Sequence, residues 1–236
     1  MDKSNIGSLF DRIAGSYDGL NHFLSLGIDR VWRRKAVCGM KVSGAQVLDV
    51  AVGTADLTLE LFRRSKAASV TGLDLSEKMM EIGKKKVDAA SLTDKTSFVC
   101  GSALDMPFPD SRFDAVTCAY GARNFSDLDK GLNEMFRVLK DGGELMILEF
   151  SYPSNAIIRT LYDFYFSNIL PFVGRLVSRD KSAYTYLNRS VKAFIWGEEF
   201  CRHLETAGFS CISFKSLTFG ITTIYRAFKP VAQINQ

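Results

Sequence analysis

The stretch Val47-Leu48-Asp49-Val50-Ala51-Val52-Gly53-Thr54-Ala55-Asp56 decides how this chain is read. The apolar run Val47 to Val52 stops at the turn Gly53-Thr54-Ala55-Asp56, and the amphipathic series Leu57, Leu59, Leu61, Phe62 follows. That order predicts a buried strand, a tight turn and a helix opening at Asp56. A second apolar strand, Ser69-Val70-Thr71-Gly72-Leu73, ends at Asp74, about twenty residues past the turn. A glycine turn followed by an acid at that distance holds a nucleoside in doubly wound folds. The turn admits the ligand close to the backbone, and the acid accepts both ribose hydroxyls.

The turn also discriminates between nucleosides. The dinucleotide pattern G-x-G-x-x-G falls here on Ala51, Gly53 and Asp56, so a carboxylate stands where a pyrophosphate should meet the helix start. Two anions at one helix N-terminus repel, which disfavours NAD or FAD. S-adenosyl-L-methionine has no phosphate and carries a sulfonium and an ammonium, for which Asp49 and Asp56 are suitable company. A purely structural alternative is that Asp56 and Asp74 cap the helices that follow them.

Composition sets the frame. The 236 residues suit one domain with appendages, able to bury a substantial core. A net charge of +4 makes no case for nucleic acid, and it does not oppose docking on an anionic membrane. Cys38, Cys100, Cys118, Cys201 and Cys211 are odd in number and widely spaced, as free thiols in a reducing compartment would be. With only His22 and His203, no metal site is expected. Polar Met1 to Gly7 argues against a signal peptide, and Arg159, Asp163 and Arg175 interrupt the most apolar long stretch, 156–177.

Residues 1–42 read as a helical N-terminal cap, with helical spacing in Leu9-Phe10…Ile13-Ala14…Tyr17 and in Trp32…Ala36-Val37. Between these lie the polar and aromatic group 17–22 and the basic run Arg33-Arg34-Lys35. The cap is either a surface hairpin or a cover for the nucleoside site. A cofactor-binding core at 43–151 comes next. In it, Ser76 to Val87 is a helix whose Lys84-Lys85-Lys86 end reads as a solvated face. Strands are expected at Thr96 to Gly101, Phe113 to Tyr120 and Glu144 to Phe150, with a helix from Asp127 to Leu139 closed by Gly142-Gly143. The alternation makes an α/β fold with a parallel sheet, whose ligands sit at the carboxyl ends of the strands. That places Ser102, Tyr120 to Asn124 and Glu149 around the same crevice as Asp49 and Asp74. An aromatic helical insert at 152–195 carries Tyr162, Phe164, Tyr165, Phe166 and Phe172, as extra core or as the lining of an apolar pocket. A closing helix and two strands paired around Thr218-Phe219-Gly220 fill 196–230.

From about Phe10 to Lys229 these pieces resemble the ubiquinone/menaquinone biosynthesis C-methyltransferase family (UbiE/MenG). The resemblance rests on Tyr17-Asp18…Asn21, Asp29-Arg30…Trp32-Arg33, Val47-Leu-Asp-Val-Ala51, Gly72-Leu-Asp-Leu-Ser76, Arg123-Asn124, Leu148-Glu-Phe-Ser151 and Tyr184…Tyr186-Leu187. Arg-Asn after the fourth strand and Leu-Glu-Phe-Ser after the fifth are far more specific than the glycine turn. The resemblance implies a class I S-adenosylmethionine-dependent methyltransferase fold, a Rossmann-like seven-stranded sheet with its last strand antiparallel. It further implies C-methylation of a polyprenylated benzo- or naphthoquinol, the demethylmenaquinol reaction being favoured. Expected cofactor contacts are Asp49, Gly53, Thr54, Asp56, Asp74, Leu75, Ser102 and Ala103. The chain departs from the family at Val52 and Ala55, where glycines are usual. Ala55 costs little if its φ is negative, and Val52 puts a branched side chain where the family leaves room.

A ring carbon becomes nucleophilic when a neighbouring hydroxyl loses its proton, so the site needs a base or a cation. Arg123 is the expected cation, and Asp18 or Glu149 the proton acceptor, with Tyr17, Asn21, Asn124 and Tyr186 orienting the quinol. Arg123 could instead pair with a local acid such as Asp127. A prenyl tail must be taken from a bilayer, so a cytoplasmic protein that visits the membrane is expected, with a homodimer as one candidate assembly.

Overall fold

The computed structural model describes residues 6–165, 168 and 181–231, apart from the side chains of residues 16, 20, 21, 23, 24 and 181–185. The chain runs α1 (Ile6–Leu24), α2 (Ile28–Cys38), β1 (Gln46–Val50), α3 (Asp56–Glu60, continued by a π turn), β2 (Ser69–Asp74), α4 (Glu77–Ala89) and β3 (Thr96–Cys100). Then come β4 (Phe113–Ala119), α5 (Leu128–Val138), β5 (Leu139–Phe150), α6 (Ala156–Phe164), α7 (Lys181–Ala193), α8 (Glu198–Thr206), β6 (Ser210–Leu217) and β7 (Thr222–Phe228). The strands form one sheet in the order β3-β2-β1-β4-β5-β7-β6. Pairing is parallel from β3 to β5, and β7 enters antiparallel between β5 and β6.

The central strands are continuous apolar runs because helices cover both faces of the sheet. Leu48 and Val50 pack with Leu132, Met135, Phe200 and Leu204 of α5 and α8 on one face. Val47 packs with Trp32, Ala36, Val37, Leu57 and Leu61 on the other. All five connections that bear on the site leave the carboxyl ends of β1, β2, β3, β4 and β5.

Four sequence expectations are revised. The group 17–22 lies within the first helix and not between two: α1 runs through it, and the chain turns at Leu26 and Gly27, both left-handed (φ 53° and 75°). Helical spacing thereby aims Tyr17 and Asp18 inward. The Gly142-Gly143 pair does not stop a helix before a strand at Glu144. Buried Leu139 already pairs with Phe113, so β5 starts there, and Gly142 (φ 75°) turns within it while bonding to Lys229. Ala55 has φ 64°, so it does carry the left-handed strain a glycine would avoid, about 1–2 kcal/mol. Lys86 leaves the solvated face for a set of carboxylates described below. Of the insert, Phe166 and Phe172 lie outside the described residues, and Tyr162 is buried against Val191.

Val52 does not crowd the ligand side of the turn. It is buried with Ala55, Met80 and Val87 beneath α4. Its branched end fits the absence of a side chain at Gly72, where an added Cβ would lie 2.9 Å from both Val52 methyls. Gly72→Ala is therefore expected to destabilise the fold by about 1–3 kcal/mol in urea melts, and a Val52→Ala background should remove most of that loss. Equal losses in the two backgrounds would show that Val52 is not what fills the space.

Candidate active site

A cavity of about 290 Å³ opens at the carboxyl edge of the sheet. Gly53 after β1, Asp74 and Leu75 after β2, Ser102 and Ala103 after β3, and Asn124 after β4 line it, and α1 closes it with Ile6, Phe10 and Tyr17. α1 thus lies over this cavity. Asp74 organises the floor. Its Oδ2 accepts the Gly53 N–H at 2.8 Å and its Oδ1 the Ser76 N–H at 2.9 Å, so one carboxylate joins the turn after β1 to the start of α4. Burial raises its pKa, against those backbone donors, which favour the charged form. Ser76 caps α4 by accepting the Met79 N–H and donates to Asp11 of α1 at 2.6 Å, so cap and floor are tied together.

Asp49, Thr54, Asp56, Asp18, Arg123, Glu149 and Tyr186 lie outside the cavity lining. The side chain of Asn21 lies outside the described residues. Asp18, Thr54 and Asp56 meet in a second polar group, beside the cavity. Thr54 donates to Asp18 at 2.6 Å, and Lys86 Nζ reaches Asp18 at 2.5 Å and Asp56 at 2.7 Å. The other Asp56 oxygen lies 3.5 Å from Arg33 and 3.8 Å from His22. His22, Asp29 and Asp56 bring potential ligand atoms within 4.8 Å of one another, but Arg33 and Lys86 already supply the positive charge there. Sequence reasoning missed Lys86 by reading its run as one solvated block. The signal was present, since Lys86 follows buried Met79 by seven residues and Gly83 by three, along one helix face.

A third group surrounds β4 and β5. Arg123 and Glu149 are buried, with Arg123 Nη1 bonded to Glu149 Oε1 at 2.8 Å. Glu149 Oε1 also accepts the Phe150 N–H, and Oε2 the Arg123 N–H. Asp127 is instead the N-cap of α5. Burial would lower the Arg123 pKa, yet Glu149 prevails and raises it, so the guanidinium stays charged. Its Cζ lies over the Phe150 ring, 5.2 Å from the centroid, and its Nε–H has no hydrogen-bond partner among the described residues. Tyr17 and Tyr186 are near enough to bear on that charge, and Tyr186 donates to Asn124 at 2.9 Å.

Asp49 is fully buried on the α2–α3 side of β1 and accepts hydroxyls from Thr58 at 2.7 Å and Thr117 at 2.9 Å. Burial raises its pKa to about 6, the two hydroxyls opposing. Protonation of Asp49 therefore favours the fold: that stabilisation is present below about pH 4 and is lost as the pH climbs through about 6. Asp49→Asn is expected to be more stable than the wild type at pH 7.5 by about 2–3 kcal/mol. The gap should close by about pH 4 in thermal melts. A gap that is the same at both pH values would mean that the Asp49 charge is not what burial penalises.

Comparison with known proteins follows the same lines. The family model described as the ubiE/COQ5 methyltransferase family matches residues 1–229. Bacteroides fragilis demethylmenaquinone methyltransferase is 45% identical over 225 residues, covering 95% of this chain and 92% of that protein. The ubiquinone/menaquinone biosynthesis C-methyltransferase UbiE of Geotalea daltonii is 44% identical, covering 95% and 96%. Among solved structures, an S-adenosylmethionine-dependent methyltransferase of Thermotoga maritima superposes with a TM-score of 0.66 at 19% identity, covering 94% and 99% of the two chains, a likeness of fold. The strand order, the antiparallel β7 and a match along nearly the whole sequence agree, and this chain belongs to the ubiE/COQ5 methyltransferase family.

Proposed function

We propose that this protein transfers the methyl group of S-adenosyl-L-methionine to a ring carbon of demethylmenaquinol, giving menaquinol and S-adenosylhomocysteine. The observation that carries the reading is the likeness at 45% identity, along 95% of the chain, to a protein named demethylmenaquinone methyltransferase. The geometry supports it. Asp74 keeps lone pairs for ribose hydroxyls beside Gly53, Leu75, Ser102 and Ala103, which line the same cavity. Asp49, Thr54 and Asp56 act from behind the turn: Thr54 and Asp56 set its shape through Lys86, and Asp49 adds negative field toward a sulfonium and an ammonium.

Methyl transfer is an in-line displacement that depends on holding the two reactants in near-attack geometry. Tyr17, Asn21, Asn124 and Tyr186 orient the quinol. Arg123 lies behind cavity-lining Asn124 and supplies the positive charge that stabilises the quinolate oxygen as the proton leaves. Both Glu149 oxygens are taken up by hydrogen bonds, so its part is to hold Arg123. Asp18 also has both oxygens held, by Thr54 and Lys86, but it is a quarter exposed where Glu149 is fully buried, so water next to cavity-lining Tyr17 can bring the proton to it.

No helix among the described residues is long and apolar enough to cross a membrane. A prenyl tail still requires contact with a bilayer, so the enzyme works from the cytoplasm by transient peripheral association, as a monomer or a homodimer. The Geotalea daltonii likeness favours a second reading, C-methylation of a benzoquinol, which is assayed alongside.

Purified protein with S-adenosylmethionine and chemically reduced demethylmenaquinone should yield the methylated quinol by mass spectrometry. Asp74→Ala should abolish calorimetric binding of S-adenosylhomocysteine. Arg123→Lys should keep that binding and lower kcat by about 10²–10³-fold. A wild type that binds the cofactor but methylates neither quinol would refute the assignment.

A further inference from the structure

Most of the large apolar side chains exposed among the described residues gather at one place, the edge of the sheet that carries the site. Phe219 is 77% exposed, on the turn between β6 and β7. That turn lies at the carboxyl end of β5, because β7 starts at Thr222, opposite Phe150. Thr218, Phe219 and Gly220 are all left-handed (φ 47°, 58° and 90°), a strained conformation for the first two. Their neighbours fix it: Trp32 Nε1 donates to Thr218 at 2.8 Å, Ser151 Oγ donates to the Gly220 carbonyl at 2.8 Å, and the Ile221 N–H closes on the Thr218 carbonyl. An aromatic ring is thus held outward in a conformation that Asn or Gly would take more easily.

Two helices continue the apolar edge. α2 runs from Trp32, against Phe150 at the carboxyl end of β5, toward Lys41, which bonds Glu144 near its start. Leu26, Ile28 and Val31, exposed by 82%, 37% and 46%, therefore stand beside the Phe219 turn. α6 leaves the same end of β5 and exposes Ile157, Leu161 and Phe164 at i, i+4 and i+7, one stripe of the helix. The exposed cations Arg30, Arg34 and Lys35 of α2 form no ion pair among the described residues, whereas Asp29 and Asp163 nearby are already paired. Apolar side chains flanked by uncompensated cations match the headgroup–acyl boundary of an anionic bilayer.

We propose that this edge is a bilayer-docking surface, with Phe219 as its apolar anchor and Arg30, Arg34 and Lys35 against anionic lipid headgroups. It rests on the quinol reading above and names the surface through which the quinol tail is drawn. The cavity, Tyr17 and the Arg123–Asn124 turn belong to the same carboxyl edge of the sheet.

The test is flotation of the full chain with vesicles of phosphatidylcholine, with and without phosphatidylglycerol. Phe219→Asn should weaken vesicle binding by at least about tenfold, while the melting temperature stays level or rises as the backbone strain is relieved. Arg34→Ala with Lys35→Ala should weaken binding to the anionic vesicles by about fivefold per charge, and leave neutral ones unaffected. Turnover of a tail-less naphthoquinol in buffer should be the same in every variant, and turnover of a vesicle-borne quinol should fall. Unchanged vesicle binding by Phe219→Asn overturns the proposal. So does a sedimentation shift from dimer to monomer with binding intact, since a second copy would then cover this face. Loss of turnover on both quinols by the wild type counts against the methyltransferase reading alone, and the flotation result still decides the surface.

Discussion

The Asp74 carboxylate is the interaction on which the site depends. Its two oxygens take the N–H of Gly53 and of Ser76, and so fix the distance between the turn after β1 and the helix after β2. A carboxylate accepting two backbone donors is a strong, directional clamp, more so when water is kept out. Everything around it leans on that clamp. Ser76 caps α4 and reaches Asp11, which lays α1 across the cavity, and α1 in turn brings Tyr17 and Asp18 to the same edge.

Charge is distributed around the cavity by burial and pairing. Arg123 and Glu149 are both buried and bonded to each other, so each offsets the other's charge and the pair is a fixed dipole at the end of β4. Lys86 and Arg33 serve the acids of the cap in the same way, which leaves Asp18 and Asp56 as members of a network. Asp49 is fully buried, and that burial raises its pKa against its two hydroxyl donors. A cofactor carrying positive charge is the ligand such a field would receive best.

The backbone strain follows a similar geography. Ala51, Gly53 and Ala55 are left-handed in the turn after β1, Tyr120 in the turn after β4, and Thr218 to Gly220 in the turn that carries Phe219. All lie at the carboxyl edge. Left-handed Lys66, Ser91 and Ser111 stand instead in the connections that enter β2, β3 and β4, so the strain at the carboxyl edge is one part of a wider set of turns that the packed sheet supports.

The sequence by itself determined the α/β class, the strand positions near β1 to β4, the cavity contacts Gly53, Asp74, Ser102 and Asn124, and the family. Those depend on local signals: hydrophobic period, turn residues and an acid at a set distance, together with specific pairs such as Arg123-Asn124. Only the tertiary structure decided which acid meets which base. Lys86 lies about thirty residues from Asp56 and reaches it because α4 packs beside the turn; Glu149, and not Asp127, takes Arg123 because β4 and β5 are neighbours in the sheet. It also decided the run of α1 through 17–22 and the early start of β5, since the packing of half-buried Tyr17 over the cavity and the burial of Leu139 outweigh local propensity. Side-chain partners are set by elements distant in sequence, and no local pattern encodes that distance.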